Sequence, residues 1–262
     1  MKPLISLLTD FGIQDPYVAE MKAVILSICP DANIVDITHQ VGKFNIRMGA
    51  FALATAAPHF PSRTIHLAVV DPGVGSNRRP IAIETNRSLY VGPDNGLLIP
   101  AASAEEIRHV YGITNISLMR NPISSTFHGR DVFSPVAANL ALGLQLRKVG
   151  QEITDYVELS FAQAKYEDRE FVCEVLHIDE FGNIITNINQ KELNVLGYAK
   201  VIVRIGAKRF PARIVQTFSE LRKGEVGILV GSRGLLEIVS SEANAATKLR
   251  VKIGDGLRVC GA

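Results

Sequence analysis

The apolar rhythm of the chain changes once, near residue 160, and that change divides it. Before it, short apolar runs alternate with amphipathic stretches of helical length. Leu4 to Leu8 reads as a strand, and Asp15-Pro16 then opens a helix, with Asp as N-cap and Pro at the first helical position. Val18, Met21, Ile25 and Ile28 give that helix its apolar face, and Pro30 stops it. Ile34 to Ile37 reads as the next strand and Ile46 to Ala57 as the next helix. Strands follow at Ile65–Val70, Ile81–Glu84 and Leu89–Val91, then the turn Pro93-Asp94-Asn95-Gly96 and a helix over Val132–Leu144. This alternation predicts an α/β fold, a mostly parallel sheet with helices on both faces.

After about Leu159 the helical period disappears. Ser160 to Arg169 is polar and charged, as a linker would be. Beyond it come short β runs at Phe171–Ile178, Ile184–Thr186, Val201–Ile205, Val226–Val230, Leu235–Val239 and Leu257–Val259, separated by glycine-rich turns. The expectation is an N-terminal α/β domain over 1–159, a linker over 160–169, and a smaller all-β, barrel-like domain over 170–262.

Composition narrows the class. With 262 residues and 47% hydrophobic content, the chain has enough apolar material for a core. A net charge of +2, from 28 basic and 26 acidic residues without a basic block, gives no electrostatic case for nucleic acid. No apolar stretch reaches bilayer length and the N-terminus has no signal-peptide pattern, so no membrane partner is expected. Cys29, Cys173 and Cys260 lack metal-ligand spacing and read as buried thiols of a cytoplasmic protein.

Two loops carry candidate chemistry. Asp71-Pro-Gly-Val-Gly-Ser-Asn-Arg-Arg79 follows the buried run Ile65–Val70, and Thr126-Phe-His-Gly-Arg-Asp131 precedes the last helix of the first part. Charged residues on glycine-rich loops after a strand serve chemistry more readily than packing. Asp71, Arg78 and His128 together offer a carboxylate, a guanidinium and an imidazole, a set able to bind a water and take its proton. Gly73-Val74-Gly75 begins like a dinucleotide fingerprint, but no third glycine follows. Thr9-Asp10-Phe11-Gly12 ends the first strand, where open α/β sheets bind ligands, and Asp10 is either a turn residue or a carboxylate for two ribose hydroxyls. Asp10 and Asp15 are too few for the clustered carboxylates of a metal loop, so no metal is expected. In the second part, Asp179 to Asn183 is either a hairpin turn or a polar contact surface. Ser232 and Arg233 form a turn or a carboxylate site, and Asn244-Ala245-Ala246 begins a short helix or meets a base edge.

Taken in order, these segments resemble the S-adenosyl-L-methionine (SAM) hydroxide adenosyltransferases, the SAM hydrolases related to the fluorinase and chlorinase. The motifs are Thr-Asp-Phe-Gly, Val-Asp-Pro-Gly-Val-Gly-Ser-x-Arg-Arg, Gly-Pro-Asp-Asn-Gly, Phe-His-Gly-Arg-Asp, Phe-Gly-Asn-x-x-Thr-Asn and Gly-Ser-x-Gly-x-Leu-Glu-Ile, spanning Leu7 to about Leu249. The resemblance implies hydrolysis of SAM to adenosine and L-methionine without a cofactor, in a homotrimer with sites at subunit interfaces. Under it, Asp71, Arg78 and His128 match the water-activating triad, Asp10 the ribose-binding residue, and Phe44 an aromatic wall near the sugar. Asp15, Asp179, Ser232 and Arg233 match positions that hold the methionine part, and Asn183 and Ala245 match adenine contacts. The halogenating relatives carry Tyr, Thr and Tyr in place of Asp71, Arg78 and His128. Halogenase-type transfer at the same carbon and a non-catalytic adenosyl-ligand protein are the alternatives.

Overall fold

In the computed structural model, which describes residues 2–192 and 200–262, the first apolar run forms β1 (Leu4–Thr9), buried at every position but its first. With β2 (Asn33–Thr38), β3 (Ile65–Val69), β4 (Pro80–Thr85), β5 (Leu89–Pro93) and β6 (Ile107–Gly112) it builds a six-stranded sheet of order β2-β1-β3-β5-β4-β6. The pairs β1–β2, β1–β3 and β3–β5 are parallel, and β4 runs antiparallel to both of its neighbours. Two helix pairs flank it, as the alternation predicts. Helix α1 (Tyr17–Ile28) packs with α4 (Ser134–Ala141), and α2 (Ile46–Ala56) packs with α3 (Ile99–Ala104). Ile5, Leu7, Leu67 and Val69 of the sheet meet Met21 and Ile25 of α1 and Val136 and Ala137 of α4 in one buried cluster. Apolar side chains of this size contribute about 1.5–3 kcal/mol each when fully buried, so this face sets the frame on which the loops stand.

Three local readings are corrected. Helix α1 begins at Tyr17 rather than Pro16: the Pro16 carbonyl accepts the first intrahelical bond, from Glu20 at 2.9 Å, so Pro16 is the cap. Asp15 is therefore not the N-cap and lies exposed ahead of it. The helix expected over Val132–Leu144 starts earlier, as a π-helical turn at Gly129–Phe133 that α4 continues to Ala141. Strand β6 and helix α3 carry too weak a period to be read from the sequence.

The chain separates into two compact units, one ending at Ser160 and one beginning at Phe161. The second holds β7 (Lys165–Glu167), β8 (Glu170–Ile178), β9 (Ile184–Asn189), β10 (Lys200–Ile205), β11 (Lys208–Ile214), β12 (Val226–Val230), β13 (Leu235–Ser240), helix α5 (Ala245–Leu249) and β14 (Gly256–Gly261). Strand order β14-β10-β11-β12-β13-β9-β8 closes through the β14–β8 pairing into a seven-stranded barrel. Its core includes Val175, Ile184, Val203, Ile228, Ile238 and Val259, and α5 caps it with Ala245, Ala246 and Leu249. Strand β7 pairs with β8 inside the segment expected as a linker. Strand β11 was hidden by its basic residues and Pro211, which sits where the β12 side of the strand is unpaired. No helix among the described residues is long and apolar enough to cross a membrane.

Candidate active site

Strands β1 and β3 run in parallel register, Thr9 opposite Val69, so Asp10 and Asp71 leave the same sheet edge on neighbouring loops. The loop after β3 folds back on itself. Arg78 Nε donates to Asp71 Oδ1 at 3.0 Å and its Nη2 bonds the other carboxylate oxygen, a two-point pair with both side chains almost wholly buried. Ser76 helps shape this loop, its hydroxyl donating to the Gly73 carbonyl at 2.6 Å and accepting from the Arg78 amide at 3.2 Å. Gly75 has φ +77°, and a Cβ there would lie 2.5 Å from the Ser125 carbonyl oxygen. Only glycine lets the loop come so close to the segment that carries His128.

His128 stands just before the π-helical turn, and Arg78 Nη2 lies 3.1 Å from its Nδ1. A guanidinium only donates, so Nδ1 is the acceptor and the proton of the neutral imidazole sits on Nε2. Burial, then the Arg78 charge, holds His128 below its ordinary pKa, with Asp71 and Asp131 pulling the other way. Burial pushes the Asp71 carboxyl above its ordinary range, against the lowering effect of Arg78, His128 and the Gly73 amide. Arg78 also packs over the Phe133 ring at 5.3 Å, and its Nη1 is buried without a hydrogen-bond partner among the described residues. The predicted triad thus comes together around one guanidinium. Phe133 was not foreseen, because its only sequence signal is an apolar position in a helical run.

Asp10 is buried, and its Oδ2 accepts from the Phe44 amide at 2.8 Å while Lys43 Nζ donates to its carbonyl at 2.6 Å. This carboxylate therefore fixes the Lys43-Phe44 turn. Phe44, at φ +63°, exposes 68% of its surface beside it. An aromatic held in the left-handed region and left facing solvent is strain without packing benefit, which points to a ligand surface. Edge-to-face contacts of Phe11 with Phe127 at 5.8 Å, and of both with Tyr17, tie the Asp10 loop to the His128 loop. Asp15 is exposed and away from these bonds.

In the second unit the structure brings Asp179, Asn183 and Ala245 together. Asp179 Oδ1 accepts from the amides of Phe181 (3.0 Å) and Asn183 (2.8 Å), and its Oδ2 accepts from Asn183 Nδ2 at 2.9 Å. Both oxygens serve their own turn, and Asn183 Oδ1 takes no part in these bonds. Asn244 caps α5 by accepting from the Thr247 amide at 2.7 Å, and the Ala246 amide donates to the Gly182 carbonyl at 3.0 Å. A Cβ on Gly182 would sit 2.1 Å from the Asn244 amide carbon. The side chain of Ala245 is buried in the barrel core, so only its backbone can meet a ligand. A cavity of about 660 Å³ opens here, lined by Phe181, Asn183, Phe218 and Ser240. Phe181, 80% exposed, and Phe218 were not among the expected site residues; the Gly-Asn turn beside Phe181 is a signal that could have found it, and Phe218 carries no such signal. Ser232 and Arg233 are exposed on the β12–β13 turn, and half-buried His177 is held below its ordinary pKa by burial first and then by the Arg233 charge. Among the described residues, no three His, Cys, Asp or Glu side chains are grouped to hold a metal.

The first unit thus carries a sheet-edge cluster of carboxylate, guanidinium and imidazole, and the second an aromatic, amide-bearing cavity on a closed barrel. The chain matches the SAM hydroxide adenosyltransferase N-terminal domain over residues 5–150 and the C-terminal domain over residues 173–258, and it belongs to that family. It is 40% identical to the (R)-S-adenosyl-L-methionine hydrolase of Salinispora tropica, across 98% of this chain and 97% of that protein. It is 38% identical to the enzyme of the same name from Thermus thermophilus, across 99% and 100%. A fluorinase from Nocardia brasiliensis is more distant, at 28% identity across 98% and 97%. The crystal structure of an uncharacterized conserved protein from Thermotoga maritima superposes with a TM-score of 0.94 at 39% identity, covering 98% of this chain and 99% of that one.

Proposed function

We infer that this protein hydrolyses SAM to adenosine and L-methionine. The observation that carries the reading is the buried Asp71–Arg78–His128 cluster, in a chain that resembles hydrolases of that name end to end. The sulfonium is already a good leaving group, so the demanding task is to make a nucleophile from water at neutral pH. Arg78 places positive charge beside the water and favours hydroxide character, the electrostatic part of the catalysis. His128 has its Nδ1 committed to Arg78, so in the neutral form it offers only Nε2–H and orients the water by donating to it. Asp71 is left as the proton acceptor, and burial makes it a better base than an ordinary aspartate. The water oxygen bonds to the ribose C5′ as the C5′–S bond breaks in line. The electron pair goes to sulfur to give the neutral thioether, and the proton goes to Asp71. Hydroxide and sulfonium cancel as the new bond forms, a change that a dry site favours.

The same reading gives Asp10 the ribose hydroxyls and Phe44 the sugar face, with Asn183 Oδ1 accepting from the adenine amine between Phe181 and Phe218. Ser232 and Arg233 take the amino-acid carboxylate, and the Ala245 backbone meets the base edge. Asp179 acts by aiming Asn183, and exposed Asp15 stands with Ser232 and Arg233 toward the methionine part. No metal or cofactor takes part in this scheme, and the assembly is a homotrimer. Incubation with SAM, with and without halide, followed by product analysis tests the reaction. Equimolar adenosine and methionine in both cases supports hydrolysis, a halogenated nucleoside supports halogenation, and bound but unconsumed SAM supports a binding protein. Sedimentation tests the trimer.

A further inference from the structure

The Gly-Pro-Asp-Asn-Gly segment, Gly92–Gly96, has no part in the chemistry above, yet its two polar side chains hold both ends of the loop that carries Asp71 and Arg78. At the start of the loop, Asn95 Nδ2 donates to the Val70 carbonyl at 2.8 Å, one residue before Asp71. At the other end, the Asp94 amide donates to the Arg79 carbonyl at 2.9 Å, and Arg79 Nε returns a bond to Asp94 Oδ2 at 3.0 Å. The second carboxylate oxygen of Asp94 accepts from the Val157 amide at 2.7 Å. Arg79 continues outward to Asp155, bonding its carboxylate at 2.8 Å and its carbonyl at 2.6 Å. Asp94 is buried with both carboxylate oxygens matched, whereas the Asp155 side chain is 78% exposed.

We propose that Asp94, through Arg79, and Asn95, through the Val70 carbonyl, are positioning residues that set the distance of Arg78 from Asp71 and His128. The argument rests on backbone geometry. Arg78 and Arg79 are adjacent in the chain, so Asp94, by holding both the carbonyl and the side chain of Arg79, limits where Arg78 can move. Arg78 must meet two targets at once, Asp71 on its own loop and His128 on another. A loop anchored at one end only would satisfy one of them part of the time. Misplacement of a catalytic group by about 1 Å costs up to about a hundredfold in rate. The buried anchor, Asp94, carries the constraint. The exposed pair with Asp155 is worth little, as such pairs generally are.

This inference depends on the hydrolase reading for its kinetic test and is independent of it for its spectroscopic one. In Asp94→Asn and in Arg79→Met, kcat for adenosine release falls about tenfold or more while KM changes less than twofold. The double variant is no worse than the poorer single one, because both break the same link. Asp155→Asn keeps the parent kcat. Arg79 is more exposed than Asp94, so Arg79→Met folds even where Asp94→Asn does not. The second readout needs no substrate: the imidazole resonance of His128, followed by NMR against pH. His128 faces Arg78, Asp71 and Asp131, and Arg78 alone among them lowers its pKa. A slackened Arg78 therefore moves the midpoint up in both single variants and leaves it unmoved in Asp155→Asn. Parent-like kcat and an unmoved midpoint in a folded Arg79→Met, or losses that multiply in the double variant, overturn the proposal. A parent protein that releases no adenosine overturns the hydrolase reading instead, and the His128 midpoints still decide this one.

Discussion

Removal of the Arg78 guanidinium is the sharpest test of the active site. Arg78→Ala deletes two bonds to Asp71, one to His128 and the contact with Phe133. Loss of one donor from a preorganised electrostatic site costs about a hundred- to a thousandfold in kcat, about 3–4 kcal/mol. Arg78 is assigned to the water and not to SAM, so KM and the calorimetric affinity should stay within a fewfold of the parent. Stability changes in a way that depends on pH. A buried carboxylate stripped of its partner costs about 3–5 kcal/mol when it stays charged. Asp71 escapes part of that by taking a proton, at about 1.36 kcal/mol for each pH unit above its pKa. Arg78 lowers the pKa of Asp71, so its loss raises it further. The unfolded carboxyl ionises at ordinary pH, so the raised native pKa makes the variant lose stability as pH rises. The drop in Tm relative to the parent therefore grows as pH rises from the ordinary carboxylate range through the raised native pKa, and the acid limb of the residual kcat moves to higher pH as the base titrates later. Adenosine release by chromatography and differential scanning calorimetry across pH 5–9 give both curves. A variant with normal kcat and weakened SAM binding would make Arg78 a substrate ligand and remove the basis for the triad.

Asp10→Ala should act in the opposite sense, weakening SAM binding by roughly ten- to a hundredfold, the worth of a lost charged hydrogen-bond acceptor, with kcat at saturation little changed; calorimetry beside steady-state kinetics decides. Asn183→Leu should narrow the preference for adenosine over inosine as competitive inhibitors, because the proposed role of the Asn183 oxygen is to accept from an amine that inosine lacks; an unchanged inhibitor ratio would take Asn183 out of base recognition. His66, wholly buried with Nδ1 2.7 Å from Ser6 Oγ, is held by burial, and secondarily by the Arg87 charge, at a pKa of about 4 instead of 6.5. The unfolded state then binds the extra proton first, so stability is full above pH 6.5 and falls by up to about 3 kcal/mol toward pH 4; thermal melts of the parent against His66→Phe should show a flatter pH dependence in the variant. Exhaustive chelation should leave turnover unchanged, and loss that a divalent ion restores would refute the metal-free scheme.

What the sequence made legible was mostly what one period or one loop could carry. The βαβ rhythm located β1, β2, β3 and three of the helices, and glycine-rich loops beside buried strands pointed to Asp71, Arg78 and His128. Adjacency between loops was not legible. Nothing in the spacing says that Arg78 chooses both Asp71 and His128, or that Gly75 exists to admit the Ser125 carbonyl. Asp179 shows the same limit from the other side. Nothing in the spacing says that its two oxygens accept from three donors of their own turn. Short elements with mixed polarity, β7, β11 and α3, went unread because tertiary pairing rather than local pattern stabilises them.

The reversal of β4 has a consequence for how this active site can change. In a uniformly parallel sheet the chain leaving β3 would have to return through a helix to the far edge before the next strand began. Because β4 is antiparallel, it begins at the edge where β3 ended, and residues 71–79 never leave that edge. Strand β5 then brings the chain back to the same edge at Asp94 and Asn95. The loop that carries Asp71 and Arg78 and its anchors thus form a contiguous cassette of about one-tenth of the chain, with termini fixed by neighbouring strands and with no helix passing through it. Such a cassette can be exchanged for one of different chemistry while the sheet, the barrel and its aromatic cavity remain as they are. Grafting residues 71–96 between relatives is the engineering experiment this topology invites.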